Sequence, residues 1–329
     1  MANLTFIIGN GLDLSLKMET SYRSFYEYVR LKKLHPNNNI YKHINVEEVN
    51  WWVDFELGLG KYTNKIELVP ENERDEWSEK LNDELNEVNK DLKQYINDQN
   101  KKVAKKTDGI KFTVQSCYEE LVSGQRVKVQ SALGGSKFID IRFITLNYTD
   151  VLEQIFADTE RPSTSRNFYT PQEPHHLHGS VHRTISLGVN DESQLSSYIA
   201  DEEKKYLIKP QLIEEMNDGR LETFNQYVDI ANVIVLFGVS LGASDTYIWE
   251  KVAAWLSASN SNILVIHHHE KGLDLSDMTD RDYLRMYDRV KNKFLDNANI
   301  TSPLREILKK KIFVVPNSTE LFKPEITEE

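Results

Sequence analysis

Thr5-Phe6-Ile7-Ile8-Gly9-Asn10-Gly11-Leu12-Asp13-Leu14-Ser15 opens the chain as an apolar, strand-forming run that enters two glycines, with helix-compatible sequence from about Thr20. A buried strand ending in a glycine turn is how α/β proteins bring backbone N–H groups up to a phosphate. Glycine accepts positive φ and leaves room for a ligand beside the main chain. Gly9-Asn10-Gly11 lacks the third glycine of the dinucleotide fingerprint. Two readings therefore stand at this point: a nucleotide-binding turn, or a tight turn and nothing more.

A second unit of the same kind lies far downstream. Residues 232–237 are the clearest buried strand in the chain; they enter Gly238-Val239-Ser240-Leu241-Gly242-Ala243-Ser244-Asp245, and helix follows through Ile248, Val252 and Trp255. Residues 137–146 form another mostly buried run, ending in Asn147-Tyr148-Thr149-Asp150 ahead of a helix through Val151, Leu152, Ile155 and Phe156. Residues 262–266 and 311–315 add two strands and 184–187 a short one, while 161–170 reads as loop. Strands alternating with helices predict a mostly parallel, doubly wound α/β sheet. Polar residues at its carboxyl strand ends fall where such sheets bind ligands.

Residues 44–121 differ in composition: glycine becomes rare, and charged residues and asparagine dominate. Trp51, Trp52, Phe55 and Leu59 fit one amphipathic helix. Trp77, Leu81, Leu85, Val88, Leu92 and Tyr95 recur at three and four, the spacing of a long helix that packs in a pair or bundle. The region reads as a helical insertion with an internal turn at Lys105-Lys106-Thr107-Asp108-Gly109. The expected layout is an α/β domain from residues 1–43 and 132–329 with the insertion over 44–131. The stripe from Trp77 to Tyr95 can equally serve self-association, so a homo-oligomer is an expected arrangement.

With 329 residues the chain can bury a sizeable core. Its net charge of −11 argues against general nucleic-acid binding, which needs a basic surface. The single cysteine, Cys117, excludes a disulfide framework and a cysteine-rich zinc module within the chain, and reads as a buried, inert residue. No run approaches the roughly 20 apolar residues that span a bilayer, and residues 4–8 are too short for a secretory signal. A cytoplasmic protein without a membrane partner is expected.

Four strand ends carry chemistry: Gly9-Asn10-Gly11-Leu12-Asp13, Thr145-Leu146-Asn147-Tyr148-Thr149-Asp150, His178-Gly179-Ser180, and Gly238-Val239-Ser240-Leu241-Gly242. Their order and spacing resemble the AbiH family of phage abortive-infection proteins. The matching segments are Gly9-Asn10-Gly11-Leu12-Asp13-Leu14, Thr20-Ser21-Tyr22, Trp52-Val53-Asp54-Phe55-Glu56, Asn147-Tyr148-Thr149, and 238–245, which together cover most of the chain. The resemblance implies a role in phage defence, with a phage-derived trigger as one expected partner.

More loosely, the same strand ends are similar to the NAD-binding core of sirtuin-like proteins, which implies a Rossmann-like fold and NAD, or a related nucleotide, as substrate. On that resemblance Asn147 and His178 are the catalytic residues. Gly9, Asn10, Gly11, Asp13, Asp150, Gly238, Ser240 and Asp245 surround the nucleotide, with Asp150 one residue later than in the sirtuin motif. One cysteine cannot build the sirtuin zinc module, and the insertion offers no extended-peptide groove. Cleavage of the nicotinamide–ribose bond is therefore expected over protein deacetylation. Asn147 would hold the carboxamide or the attacking water, His178 would accept a proton, and Asp13 and Asp150 would stabilise positive charge on the ribose.

Plainer roles compete at each position. His178 alone fits a hydrogen-bonded buried histidine, Asn147 a turn or cap, and Trp51, Trp52 and Phe55 a packed core. Asp54 and Glu56, two apart, would not share a helix face. The clusters His175/His176/His178/His182 and His267/His268/His269 admit a metal. No metal is expected; one would turn the reading toward a nuclease or phosphohydrolase. A third alternative is a non-catalytic sensor of NAD or ADP-ribose.

Overall fold

The computed structural model describes residues 2–46, 55–134, 138–157, 168–171, 173–318 and 321–324. Among the described residues, seven strands form the main sheet: β1 (Ala2–Ile8), β2 (Phe138–Thr145), β3 (Phe168–Pro171), β4 (His175–His176), β5 (Val233–Phe237), β6 (Ile263–His268) and β7 (Ile312–Pro316). Their order is β3-β2-β1-β5-β6-β7, with β4 pairing with β2 beyond β3, and every pairing is parallel. Apart from the two-residue β4, this is the order of doubly wound dinucleotide-binding sheets.

Side chains alternate between two apolar faces, as a parallel sheet covered on both sides requires. Leu4, Phe6 and Ile8 of β1, Ile141 and Phe143 of β2, and Val233 and Val235 of β5 point to one core, shared with Phe112, Cys117, Val129 and Leu152. Ile7, Ile144, Ile234, Leu236, Leu264 and Ile266 point to the other, under Phe224, Trp249, Val252 and Phe294. Register sets the site. Ile8 stands opposite Thr145 on one side and Phe237 on the other, and Phe237 opposite His267, so four strands end level at one edge.

A third core lies outside the sheet. The helix Tyr22–Lys32, started by Ser21 accepting from the Ser24 N–H at 3.1 Å, packs with the helices Phe55–Thr63 and Arg74–Asn100. Leu81, Leu85, Val88, Leu92 and Tyr95 are buried there, together with Val181, Ile185, Leu187, Leu195 and Leu207. The stripe offered for self-association is thus spent within the chain.

Some local expectations change. Residues 184–187 form no strand; Ile185 makes only an isolated bridge to Gly179, and its side chain and that of Leu187 join the third core. The expected loop 161–170 contains the start of β3, where Phe168–Pro171 pairs with Phe138–Ile141. Residues 103–131 lie within the expected insertion but pack under the sheet through Val103, Phe112, Cys117 and Val129. Trp51, Trp52 and Asp54 lie outside the described residues. Among the described residues no helix is long and apolar enough to cross a membrane.

Candidate functional site

The level ends of β1, β2, β5 and β6 open onto a cavity of about 750 Å³ at the point where strand order reverses, between β1 and β5. Gly9, Asn10, Gly11, Asp13, Asn147, His178, Gly238, Ser240 and Asp245 line it; Asp150 does not. Leu92 and Ile96 of the helix Arg74–Asn100 and Glu56 of the helix Phe55–Thr63 close it from the helical side. His268, His269, Glu270, Arg289 and Lys293 also line it, with Arg289 paired to Glu270.

The two glycine turns lock onto each other. The Gly9 N–H donates to the Phe237 carbonyl at 2.9 Å, and the Gly11 N–H to the Gly238 carbonyl at 2.8 Å. A Cβ on Gly9 would fall 2.6 Å from the Gly238 oxygen, and one on Gly238, whose φ is 67°, 2.7 Å from the Leu12 nitrogen. Close approach of two backbones demands glycine here. The Gly9 and Gly11 N–H groups are consumed in that approach, so these glycines shape the site by letting the turns meet.

Polar residues of the first turn tie it to its neighbours. Asn10 exchanges hydrogen bonds with Thr20, accepting from its hydroxyl at 2.7 Å and donating to its carbonyl at 3.1 Å. Asp13, only 1% exposed, accepts from Asn147 Nδ2 and from the Thr149 hydroxyl, both at 2.8 Å. Burial pushes its carboxyl up to about 6, against the pull of those two bonds, of Thr20 and of His176. With Nδ2 engaged, Asn147 is left with a buried Oδ1 that has no partner among the described residues.

His178 belongs to a second buried network. Its Nε2 lies 2.9 Å from the Tyr247 hydroxyl and 3.6 Å from Asp245 Oδ1. Lys209 Nζ donates to the same Asp245 oxygen at 2.8 Å and to Glu56 Oε2 at 2.6 Å. Burial, with the cations of Lys209 and Arg220, pulls the imidazole down to about 3 despite Asp245, so His178 is neutral. Burial would also lower Lys209, but Asp245 and Glu56 outweigh it and hold the ammonium charged. Burial would raise Asp245, and Lys209 overcomes that, keeping it ionised.

Lys209, Glu56 and Tyr247 escape a reading of the sequence. Glu56 lies in the family-like stretch ending Asp54-Phe55-Glu56, but its ion-pair partner is 153 residues away. Lys209 sits at the head of a short helix before Pro210 with no local pattern to mark it.

The histidine clusters divide. His175 donates to the Arg220 carbonyl at 2.8 Å and His176 to the Asn147 carbonyl at 2.9 Å, both away from His178. Asp150 lies beside His182, Oδ2 to Nε2 2.6 Å, and Asn100. His267 donates to the Cys117 carbonyl at 3.0 Å, and burial pulls its imidazole down to about 4. Cys117 is fully buried, and burial pushes its thiol up.

No curated protein matches the chain. The family model described as "Bacteriophage abortive infection AbiH" matches residues 5–267, a span that takes in the first glycine turn, Glu56, Asn147, His178, Lys209 and the second glycine turn. This protein belongs to the AbiH family of phage abortive-infection proteins.

Proposed function

We propose that this abortive-infection protein hydrolyses NAD to nicotinamide and ADP-ribose in a sirtuin-like site. The observation that carries the reading is the convergence of Asp13, Asn147, His178 and the two glycine turns on one cavity at the switch point of the sheet. Its volume suits a dinucleotide. Leu92, Ile96, Leu146 and Trp249 supply apolar wall, and Lys293 supplies positive charge for phosphate beside the Arg289–Glu270 ion pair.

In the reaction the C1′–N bond breaks with its electron pair passing to the nicotinamide nitrogen, while water adds to C1′ and releases a proton. The ribose passes through an oxocarbenium-like state. Asp13 holds Asn147 by its amide nitrogen, and the free Oδ1 is an acceptor matched to the carboxamide N–H₂ of nicotinamide. Asp13 is buried beside this group, and its negative charge favours the cationic state. His178 is too weak a base to take a full proton in its present network. It accepts a hydrogen bond from water or a ribose hydroxyl, which suffices when bond cleavage runs ahead of attack.

The test is incubation of the purified chain with NAD, following free nicotinamide and ADP-ribose. Release by the wild type, lost by at least ~100-fold in Asn147→Ala and His178→Ala, is expected. Equal release by all three proteins would remove these residues from the chemistry. The neutral state of His178 favours one second reading, a nucleotide sensor without turnover. That reading expects NAD to bind, by calorimetry, with no nicotinamide released.

A further inference from the structure

Behind the turn that presents Asn147, and outside the lining of the cavity, three potential ligands gather. One donor atom each from Asp150, Glu153 and His176 lie within 4.8 Å of one another. His182 Nε2 stands 2.6 Å from Asp150 Oδ2 but lies outside that group of three. We propose that Asp150, Glu153 and His176 form a divalent transition-metal site, with zinc, held by one imidazole and two carboxylates and leaving a position for solvent, the metal it fits.

Two His–carboxylate ion pairs would be the simpler account, but they leave the cluster incomplete. His176 Nε2 faces Glu153 Oε1 at 2.7 Å, while Glu153 Oε2 is buried with no partner among the described residues. A cation at this point would give the Glu153 carboxylate a partner that the imidazole alone does not supply. The remaining contacts are those of an outer shell. His176 turns Nδ1 to the Asn147 carbonyl at 2.9 Å, which directs Nε2 into the cluster. Asn100, the last residue of the helix Arg74–Asn100, clamps Asp150 twice. It donates to Oδ2 at 2.7 Å and accepts the Asp150 N–H at 2.8 Å.

Donors about 2.1 Å from a tetrahedral zinc stand about 3.4 Å apart. The three donors, within 4.8 Å of one another, reach that spacing by shifts of at most about 1.5 Å. Asp150 and Glu153 are partly exposed and His182 largely so, which gives the ion a path from solvent. The ion would brace the segment from Asn147 to Asp150 against the end of the long helix. This inference does not depend on NAD hydrolysis.

Tag-free, full-length protein stripped with chelator is titrated with ZnCl₂ by calorimetry, with thermal melts alongside. One equivalent bound, a melting temperature raised by several degrees, and visible d–d absorption of a low-coordinate centre when Co²⁺ replaces zinc are expected. Glu153→Gln, which keeps size and shape, and His176→Gln should each weaken zinc binding at least tenfold. His268→Gln/His269→Gln at the other histidine cluster should leave it unchanged. No zinc bound by folded wild type, or binding untouched by Glu153→Gln and abolished by the 268/269 pair, overturns the proposal.

Discussion

Asp13 shows how one buried carboxyl is made to serve a site. Its ordinary value of 3.8 rises to about 6 because burial outweighs the hydrogen bonds of Thr149, Asn147 and Thr20 and a nearby histidine. Between those values the folded chain holds the proton more tightly than the unfolded one. The contribution of Asp13 to stability is therefore fully present below about pH 4 and is lost as pH rises through about 6, a swing of about 3 kcal/mol. His178 and His267 run the other way. With imidazoles pulled down to about 3 and about 4, they favour the fold above pH 6.5 and erode it as pH falls. Asp13→Asn should consequently make acid unfolding steeper between pH 6 and 4, read from urea midpoints across that range. A wild-type slope in the variant would mean that Asp13 does not titrate there. If NAD is turned over, the rate should rise through about pH 6 as Asp13 ionises, and Asp13→Asn should flatten that limb. Asp13 and Asn147 were readable as polar groups at strand ends. The unpartnered Oδ1 was not, since it depends on which amide atom Asp13 claims.

The element that matters most is the strand–glycine turn–helix, present twice and crossed against itself. Each copy is legible because apolar runs, glycines and amphipathic helices are local patterns. The reason for the glycines is not local. Gly238→Ala places a methyl against the Leu12 backbone at positive φ and should cost at least about 3 kcal/mol. Gly219, also at positive φ (78°), has open space around it, so Gly219→Ala should cost only the strain of about 1 kcal/mol. Denaturant unfolding of both separates crowding from conformation; equal losses would refute the turn-to-turn contact. The helix Phe55–Thr63 is pinned to the helix Lys209–Glu215 by Glu56 on Lys209. Glu56→Gln leaves Lys209 its Asp245 partner and should cost about 2 kcal/mol, the worth of a charged hydrogen bond.

At the scale of the molecule, the helical segment and the sheet share cores. The third core draws on residues 22–32, 55–99 and 181–208 together, and residues 103–133 lie under β1 and β2. Removing 44–131 would therefore strip apolar cover from both remaining segments. Such a shortened chain should lose its cooperative thermal transition and expose dye-binding apolar surface; a sharp, unchanged melt would show the segment to be an autonomous insertion. The same arrangement puts Leu92, Ile96 and Glu56 over the cavity, so the helices that cover the site also line it.

Periodicity and glycine turns sufficed to specify strands, long helices and a parallel sheet, because those signals operate over a few residues. The order of strand-end motifs sufficed for the family and for nine of the residues that meet in the cavity. Asp150 was drawn into that group by its place in the chain, yet it stays out of the cavity lining and bonds His182 and Asn100 instead. Lys209, Glu56 and Tyr247 became neighbours of His178 only through folding. Ion pairing inside a core answers to distance and burial, and chain separation records neither.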